Sequence, residues 1–275
     1  STRRSKHQPG EALCDALTAL GPGFVKFGQA LATRADLIGP DMARALTSLQ
    51  DKMPAFSAVK AREIITEETG RNITEIFSHF EDQPVAAASV AQVHQASLPD
   101  GRKVAVKILR PHIHRLVRRD TRFFLGMARL TEWLAPALRR LKLVKAVEQF
   151  SQLSEMELDL RLEAAAAGRL AEHLADDEGI RVPAVYLEHT SKAVLVMEWI
   201  DGVRIDDLEA LHRAGHQIDR LTRIAATSFF NQVFRDGYFH GDMHPGNIFI
   251  TADGTLVSID FGIMGNLSFT DRLFL

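Results

Sequence analysis

Two short motifs near the end of the chain, His240-Gly241-Asp242-Met243-His244-Pro245-Gly246-Asn247 and Ile259-Asp260-Phe261-Gly262, restrict the fold more than anything else in the 275 residues. An Asp, four intervening residues and an Asn, then an Asp before Phe-Gly, is a donor spacing suited to phosphoryl transfer. In that chemistry the first carboxylate stands beside the attacking group and the Asn amide oxygen holds a metal ion. The last carboxylate binds Mg²⁺ that bridges the phosphates. Asp242, Asn247 and Asp260 have those positions. A loop rich in Asp, His, Pro and Gly is commonplace alone, so the weight rests on two motifs in the right order.

Upstream, Lys103-Val104-Ala105-Val106-Lys107 reads as a strand ending in a lysine after a hairpin, where a kinase-like domain holds the α and β phosphates. Alone, Lys107 is an ordinary strand lysine; the downstream motifs give it meaning. Its carboxylate partner belongs on a following helix, and Glu163 is the candidate, although helices carry many glutamates. A glycine-rich phosphate loop is missing from the place before Lys107, which holds Ala86-Ala87-Ala88-Ser89-Val90 instead. Glycine lets a backbone approach phosphates and alanine narrows the choice, so the phosphate contacts should be altered. Without the other motifs the same stretch is small-residue packing. Met197, Glu198 and Ile200, closing another strand, are placed to meet adenine through the backbone.

Around these motifs the chain reads as α+β. Helices are expected over Glu11 to Leu20, Pro22 to Leu37, Asp41 to Lys52 and Ser57 to Thr69, with Asp41 and Ser57 as N-caps and Gly70 as the stop. Strands at Ser89 to Ala96 and Lys103 to Leu109 flank the turn Pro99-Asp100-Gly101. A long helix from Pro111, broken near Pro136, precedes another from Lys145 to Asp176 that includes the alanine run Ala164 to Ala167. Val182 to Tyr186 and Ala193 to Trp199 read as strands, Asp206 to Ala214 and Asp219 to Asp236 as helices. A last hairpin joins Asn247 to Thr251 with Thr255 to Ile259. The expected division is a helical extension over 1–80, an N-lobe with inserted helices over 81–200, and part of a C-lobe over 201–275.

Thirty-three Lys and Arg balance 35 Asp and Glu, a formal charge of −2, so nucleic acid is not an expected partner and any basic surface must be local. The lone Cys14 excludes an internal disulfide framework and reads as a helix-face residue. No apolar run of about 18 residues suggests a spanning helix. The absence of an initiator Met, and a stop at Phe274-Leu275 soon after Asp-Phe-Gly, lead us to expect a soluble piece of a longer protein. His112 and His114 lack a third zinc ligand, His244 reads as structural as readily as titrating, and Trp133 and Trp199 are expected to pack.

Further features make a resemblance specific. The Ala-Ala-Ala-Ser loop, Lys26-Phe27-Gly28-Gln29 and Glu157-Leu158-Asp159, the last six residues before Glu163, join Lys107, Met197-Glu198, Asp242, Asn247 and Asp260. From about residue 20 to 265 the chain resembles the UbiB family, atypical protein-kinase-like proteins associated with ubiquinone (coenzyme Q) biosynthesis. The resemblance implies a bilobal protein-kinase-like fold, truncated here after Asp-Phe-Gly, that binds ATP and Mg²⁺. It implies that the N-terminal helices lie across the active site, with Lys26 facing Glu157 and Asp159 and, with Gln29, serving a regulatory or catalytic role. Read from the residues alone, Lys26 and Gln29 are solvated positions on an amphipathic helix. The resemblance also implies quinone precursors, other ubiquinone-biosynthesis proteins and a lipid membrane as partners. The implied location is the cytoplasmic face of a bacterial inner membrane, reached through a region outside this sequence.

Three functions stay open at this level: an ATPase or a small-molecule or lipid phosphotransferase; an ordinary protein kinase, disfavoured by Ala86 to Ala88 and the extension bearing Lys26; and a nucleotide-sensing scaffold. No flavin fingerprint, haem pattern or iron triad supports oxygen chemistry.

Overall fold

A computed structural model describes residues 9–274 apart from 33, 48 and 50–52. The chain begins with α1 (Pro9–Leu20), α2 (Pro22–Ala32), α3 (Ala35–Ile38), α4 (Pro40–Thr47), α5 (Ala58–Thr69) and α6 (Ile73–Ile76). Next come β1 (His79–Phe80), β2 (Ala86–Ala87), β3 (Ala91–Ser97), β4 (Lys103–Leu109), α7 (Ile113–Leu134), a 3₁₀ turn (Pro136–Leu141), α8 (Leu143–Glu157) and α9 (Leu160–His173). The remainder holds β5 (Ile180–Arg181), β6 (Val194–Glu198), β7 (Gly202–Arg204), α10 (Leu208–Arg213) and α11 (Ile218–Phe230). A π-helical turn (Asn231–Asp236), β8 (Tyr238–His240), β9 (Ile248–Thr251), β10 (Leu256–Ser258), β11 (Met264–Asn266) and α12 (Phe269–Leu273) complete it.

Two compact units form. The first gathers Ser1–Ile64, Asp82–His94 and Lys107–Leu158; the second gathers Ile65–Glu81, Gln95–Val106 and Asp159–Leu275. In the first, Leu17, Leu46 and Leu49 close one core among α1, α2 and α4. Phe124, Ala128, Val147 and Phe150 close another between α7 and α8, with Phe24 and Phe27 of α2 packed against it. Here β2 pairs antiparallel with β3 at Ala86↔Val93 and Ala87↔Gln92.

In the second unit β1 pairs with the end of β3 at His79↔Ser97 and Phe80↔Ala96. The turn before β4 closes on Gly101, whose φ of 89° suits glycine, as the Pro99-Asp100-Gly101 signal predicts. Val194, Leu195 and Val196 of β6 are fully buried. A four-stranded sheet of order β5-β10-β9-β7 holds β9 and β10 antiparallel, with Val257 opposite Phe249. β8 and β11 pair separately, His240 opposite Met264.

Several expected elements shift, each for a local reason. The helix expected over Pro22 to Leu37 is two, α2 and α3, and α4 begins at Pro40, so Asp41 lies in its first turn rather than capping it. The expected end at Lys52 lies outside the described residues. Ser57 does cap α5, accepting from Lys60 N at 3.3 Å, and Gly70 follows with φ 67°. The helix expected over Lys145 to Asp176 breaks into α8 and α9, because Asp159 leaves helical geometry (φ −123°, ψ 94°) and accepts from Arg161 N. The strand expected at Val182 to Tyr186 is reduced to a single bridge from Val185 to Met197. The helix expected to reach Asp236 ends at Phe230 and gives way to the π turn. Trp133, expected to pack, is 70% exposed.

Candidate functional site

The catalytic-loop candidates stand in the second unit, held by backbone bonds. Asp242 O accepts from His244 N at 2.8 Å, His244 O from Asn247 N at 2.9 Å, and Asn247 O from Ile259 N at 3.0 Å. The loop carrying Asp242 and Asn247 is thereby stitched to the residue before Asp260. His240 makes a second link. Its Nδ1 accepts from Asp242 N at 3.1 Å, which leaves the proton on Nε2, and Nε2 donates to the backbone oxygen of Asp260. One neutral ring thus fixes both carboxylate-bearing segments. His240 is buried beside Phe261, and its own N–H is received by buried Gln232, which donates in turn to Ser228.

Close approach explains the glycines nearby. A Cβ on Gly241 would lie 3.0 Å from Ile263 Cγ2, and one on Gly265 would lie 2.2 Å from the Phe239 ring. Asp260 Oδ1 accepts from Gly262 N at 3.0 Å, fixing the side-chain rotamer after the turn. His244 Nδ1 accepts from Gly246 N at 3.0 Å, a structural role for that imidazole.

Also in this unit, Glu163 sits in the first turn of α9 on the face that buries Leu160, Ala164 and Ala167, and is itself 6% exposed. A carboxylate is kept there only by compensating partners. Met197 is buried at the end of β6. The Glu198 carboxylate is gripped by both terminal nitrogens of Arg181 at 2.7 Å and by Ala184 N at 3.1 Å. The Arg181 hydrogen bonds hold it below its usual value. The N–H groups of Glu198 and Trp199 donate to Ala184 and Lys103, which pins the segment leading to Ile200.

The first unit holds Lys107, half-buried on β4 on the face opposite Val106 and Ile108. It also holds the alanine segment, which is a hairpin: Ala88 N donates to Ala91 O at 2.8 Å, closing a turn over buried Ser89 and half-buried Val90. Arg110 holds that turn. Its Nε and one terminal nitrogen reach Ala88 O at 2.9 and 2.7 Å, its backbone N–H reaches Val90 O at 2.8 Å, and its other terminal nitrogen reaches Pro54 O at 2.9 Å. Met53 N donates to Ala87 O, and the Gln92 side chain pairs with both backbone groups of Phe56. Residues 53–56 are therefore strapped to the hairpin. Neither Arg110, His240 nor Gln232 was among the sequence candidates. His240 stood inside a motif without a role, and a buried polar pair four apart, Ser228 and Gln232, was the available signal for the third.

The Lys26-Phe27-Gly28-Gln29 motif resolves into four contacts within the first unit. Lys26 forms an ion pair with Glu157, both largely buried. Phe27 stacks on Phe124 at 3.9 Å and meets Phe150 edge-on at 5.2 Å. A Cβ on Gly28 would come within 2.5 Å of Leu49 and 2.8 Å of Leu17, so glycine lets α2 approach them. Gln29 donates to Leu49 O at 3.4 Å. In the second unit Asp159 is bound by Arg161 at 2.9 and 2.6 Å, which lowers its pKa.

Hard oxygen donors, the carboxylates of Asp242 and Asp260 and the amide oxygen of Asn247, suit Mg²⁺. Among the described residues no three His, Cys, Asp or Glu side chains converge as a ready-made cage. Mg²⁺ usually takes one or two carboxylates and completes its shell with phosphates and water, so the donor set fits.

Residues 48–275 match the family model for the ABC1 atypical kinase-like domain. The chain is 45% identical over 270 residues to the probable protein kinase UbiB of Marinobacter nauticus, covering 97% of this chain and 49% of that protein. It is 42% identical over 277 residues to the protein of the same name from Azotobacter vinelandii, covering 99% and 52%. It thus spans about half the length of the curated relatives it matches. A solved structure, Rv3197 of Mycobacterium tuberculosis in complex with erythromycin, matches with a TM-score of 0.63 at 34% identity, over 91% of this chain and 63% of that one. The architecture is an α+β, protein-kinase-like fold preceded by an N-terminal helical extension. By the family match and these identities, the chain belongs to the ABC1/UbiB family of atypical kinase-like proteins.

Proposed function

We propose that this chain binds ATP with Mg²⁺ and hydrolyses it or passes its γ-phosphoryl group to a small molecule or lipid, in support of ubiquinone biosynthesis. The observation that carries this reading is the His240 bridge, which holds the Asp242 and Asp260 segments in register through one buried ring. Preorganised charge is what phosphoryl transfer demands of a protein, since the reaction needs little covalent chemistry from it. Asp242 would orient the attacking hydroxyl or water and accept its proton, while Asn247 and Asp260 would hold the metal. The metal, when bound, neutralises charge on the phosphate oxygens. Lys107 would hold the α and β phosphates. The backbone between Met197 and Ile200 would seat adenine, and the Ala86–Val90 hairpin would cover the phosphates.

A second reading, a nucleotide-sensing scaffold for other biosynthetic proteins, is favoured by one observation: Arg110 ties the alanine hairpin to residues 53–56, leaving it less able to follow a phosphate. The test is a single-turnover assay with labelled ATP, with and without lipid and a quinone-precursor analogue, beside thermal shifts with ATP, ADP and Mg²⁺. Release or transfer of the label supports the enzyme; metal-dependent stabilisation without turnover supports the scaffold.

A further inference from the structure

α7 shows more apolar surface than its packing uses. Phe124 and Ala128 face the core it shares with α8, yet Phe123, Met127, Leu130 and Leu134 are 55%, 48%, 47% and 65% exposed. Steps of four, three and four residues put these side chains on one stripe, about 100° round the helix from Phe124. Trp133 lies along one margin of the stripe and is the most exposed of the set. On that same margin, at 3.6 residues per turn, fall Arg115, Arg122 and Arg129, all exposed. The 3₁₀ turn that follows adds Arg139 and Arg140.

Charge is concentrated here. Residues 111–145 carry nine Arg and Lys against two acidic residues, Asp120 and Glu132, in a chain whose formal charge is −2. Asp120 is buried and is taken up by its pair with Arg119. Arg118 reaches Glu155 of α8 at 3.5 Å, a link that steadies the helix on its support.

We propose that the outer face of α7, with the 3₁₀ turn after it, is a docking surface for an anionic lipid bilayer. The apolar stripe would enter the headgroup boundary, and the flanking arginines would lay their aliphatic stems along it and reach lipid phosphates. A duplex would use the arginines but leave the aliphatic stripe in water. Spanning is excluded for α7: its 22 residues include seven charged ones, and among the described residues no helix is long and apolar enough to cross a membrane. The inference does not depend on nucleotide chemistry, since Phe123 to Leu134 belong to none of the motifs assigned to it.

The experiment uses this chain with Trp199→Phe, which leaves Trp133 as the only indole. Vesicles of phosphatidylcholine alone and of equimolar phosphatidylcholine and phosphatidylglycerol are compared by co-sedimentation and Trp133 emission. The proposal expects binding and a blue shift only with phosphatidylglycerol. Arg115→Gln, Arg122→Gln and Arg129→Gln together should weaken partitioning about a hundredfold. Leu130→Asp with Leu134→Asp should abolish the blue shift, and neither set should move the melting temperature of these exposed positions. No association with anionic vesicles, or association that both sets leave unchanged, overturns it. So does self-association without vesicles that Leu130→Asp with Leu134→Asp removes, which would assign the face to a second copy. Equal binding and blue shift with soluble polyglutamate would assign it to an acidic protein instead.

Discussion

His240 accepts from Asp242 on one ring nitrogen and donates to Asp260 on the other, a division of labour that a glutamine cannot copy at both ends. His240→Gln is expected to lower stability by roughly 1–3 kcal/mol, the cost of a buried polar group left unpaired. Single turnover should fall further than stability explains; denaturant unfolding beside the labelled-ATP assay checks both. Arg110→Lys keeps the charge but loses the fork that binds Ala88 O and Pro54 O together. It should change KM for ATP several-fold with the melting temperature nearly unchanged, a fall if the tie restrains the hairpin and a rise if it presents the hairpin to the phosphates, and an unaltered KM would make the strap mere packing. A cycle of Lys26→Ala and Glu157→Ala should show a coupling of roughly 0.5–3 kcal/mol in stability, as for two residues in one contact; additive effects would contradict it. Asp242, Asn247 and Asp260 could be picked out as candidates because their spacing is a chain property. The roles of His240 and Arg110 were not, because a side chain's backbone partners depend on where distant segments return.

At the level of elements, the break between α8 and α9 matters most, since it sets Asp159 as a cap and turns Glu163 onto the buried face of α9. Periodicity ran through both helices and hid the break, because Glu157-Leu158-Asp159 contains no Gly or Pro to mark it. Asp159→Ala should cost about 1 kcal/mol through loss of the cap; chemical denaturation measures it, and no loss would mean that Arg161 and the cap are not holding the turn. The alanine segment stood out in the sequence as a candidate phosphate loop but not as a strand pair, since β2 is two residues long. Ala87→Gly is expected to change ATP or ADP affinity while leaving the melting temperature within a degree or two, glycine having the wider backbone choice. Equal affinities before and after would reduce the hairpin to packing.

Over the whole molecule, the α+β architecture and the helical extension could be read from pattern, because apolar periodicity changes from 3.6 to 2 near residue 80. The two compact units could not, since each gathers three separate stretches and the dividing line falls inside β3 and β4. Acid stability belongs at this scale. Glu198 beside Arg181 and Asp177 beside Arg235 both have pKa values below their ordinary ones of 4.5 and 3.8. The unfolded chain therefore takes up these protons first as pH falls. Their contribution is full above the ordinary values and is lost as pH drops through the lowered ones. Melting temperature should fall below about pH 5, and less steeply in Glu198→Gln, which has no proton to gain; an identical acid limb would contradict the assignment. The central claim is metal-dependent nucleotide binding at Asp260, and calorimetric titration of ATP into the chain and into Asp260→Asn, each with and without Mg²⁺, tests it most directly. The account predicts binding to the unmodified chain that requires Mg²⁺ and weakens at least about tenfold in the variant, a loss of about 1.4 kcal/mol or more. Equal affinity in the two proteins, or affinity indifferent to the metal, would contradict it.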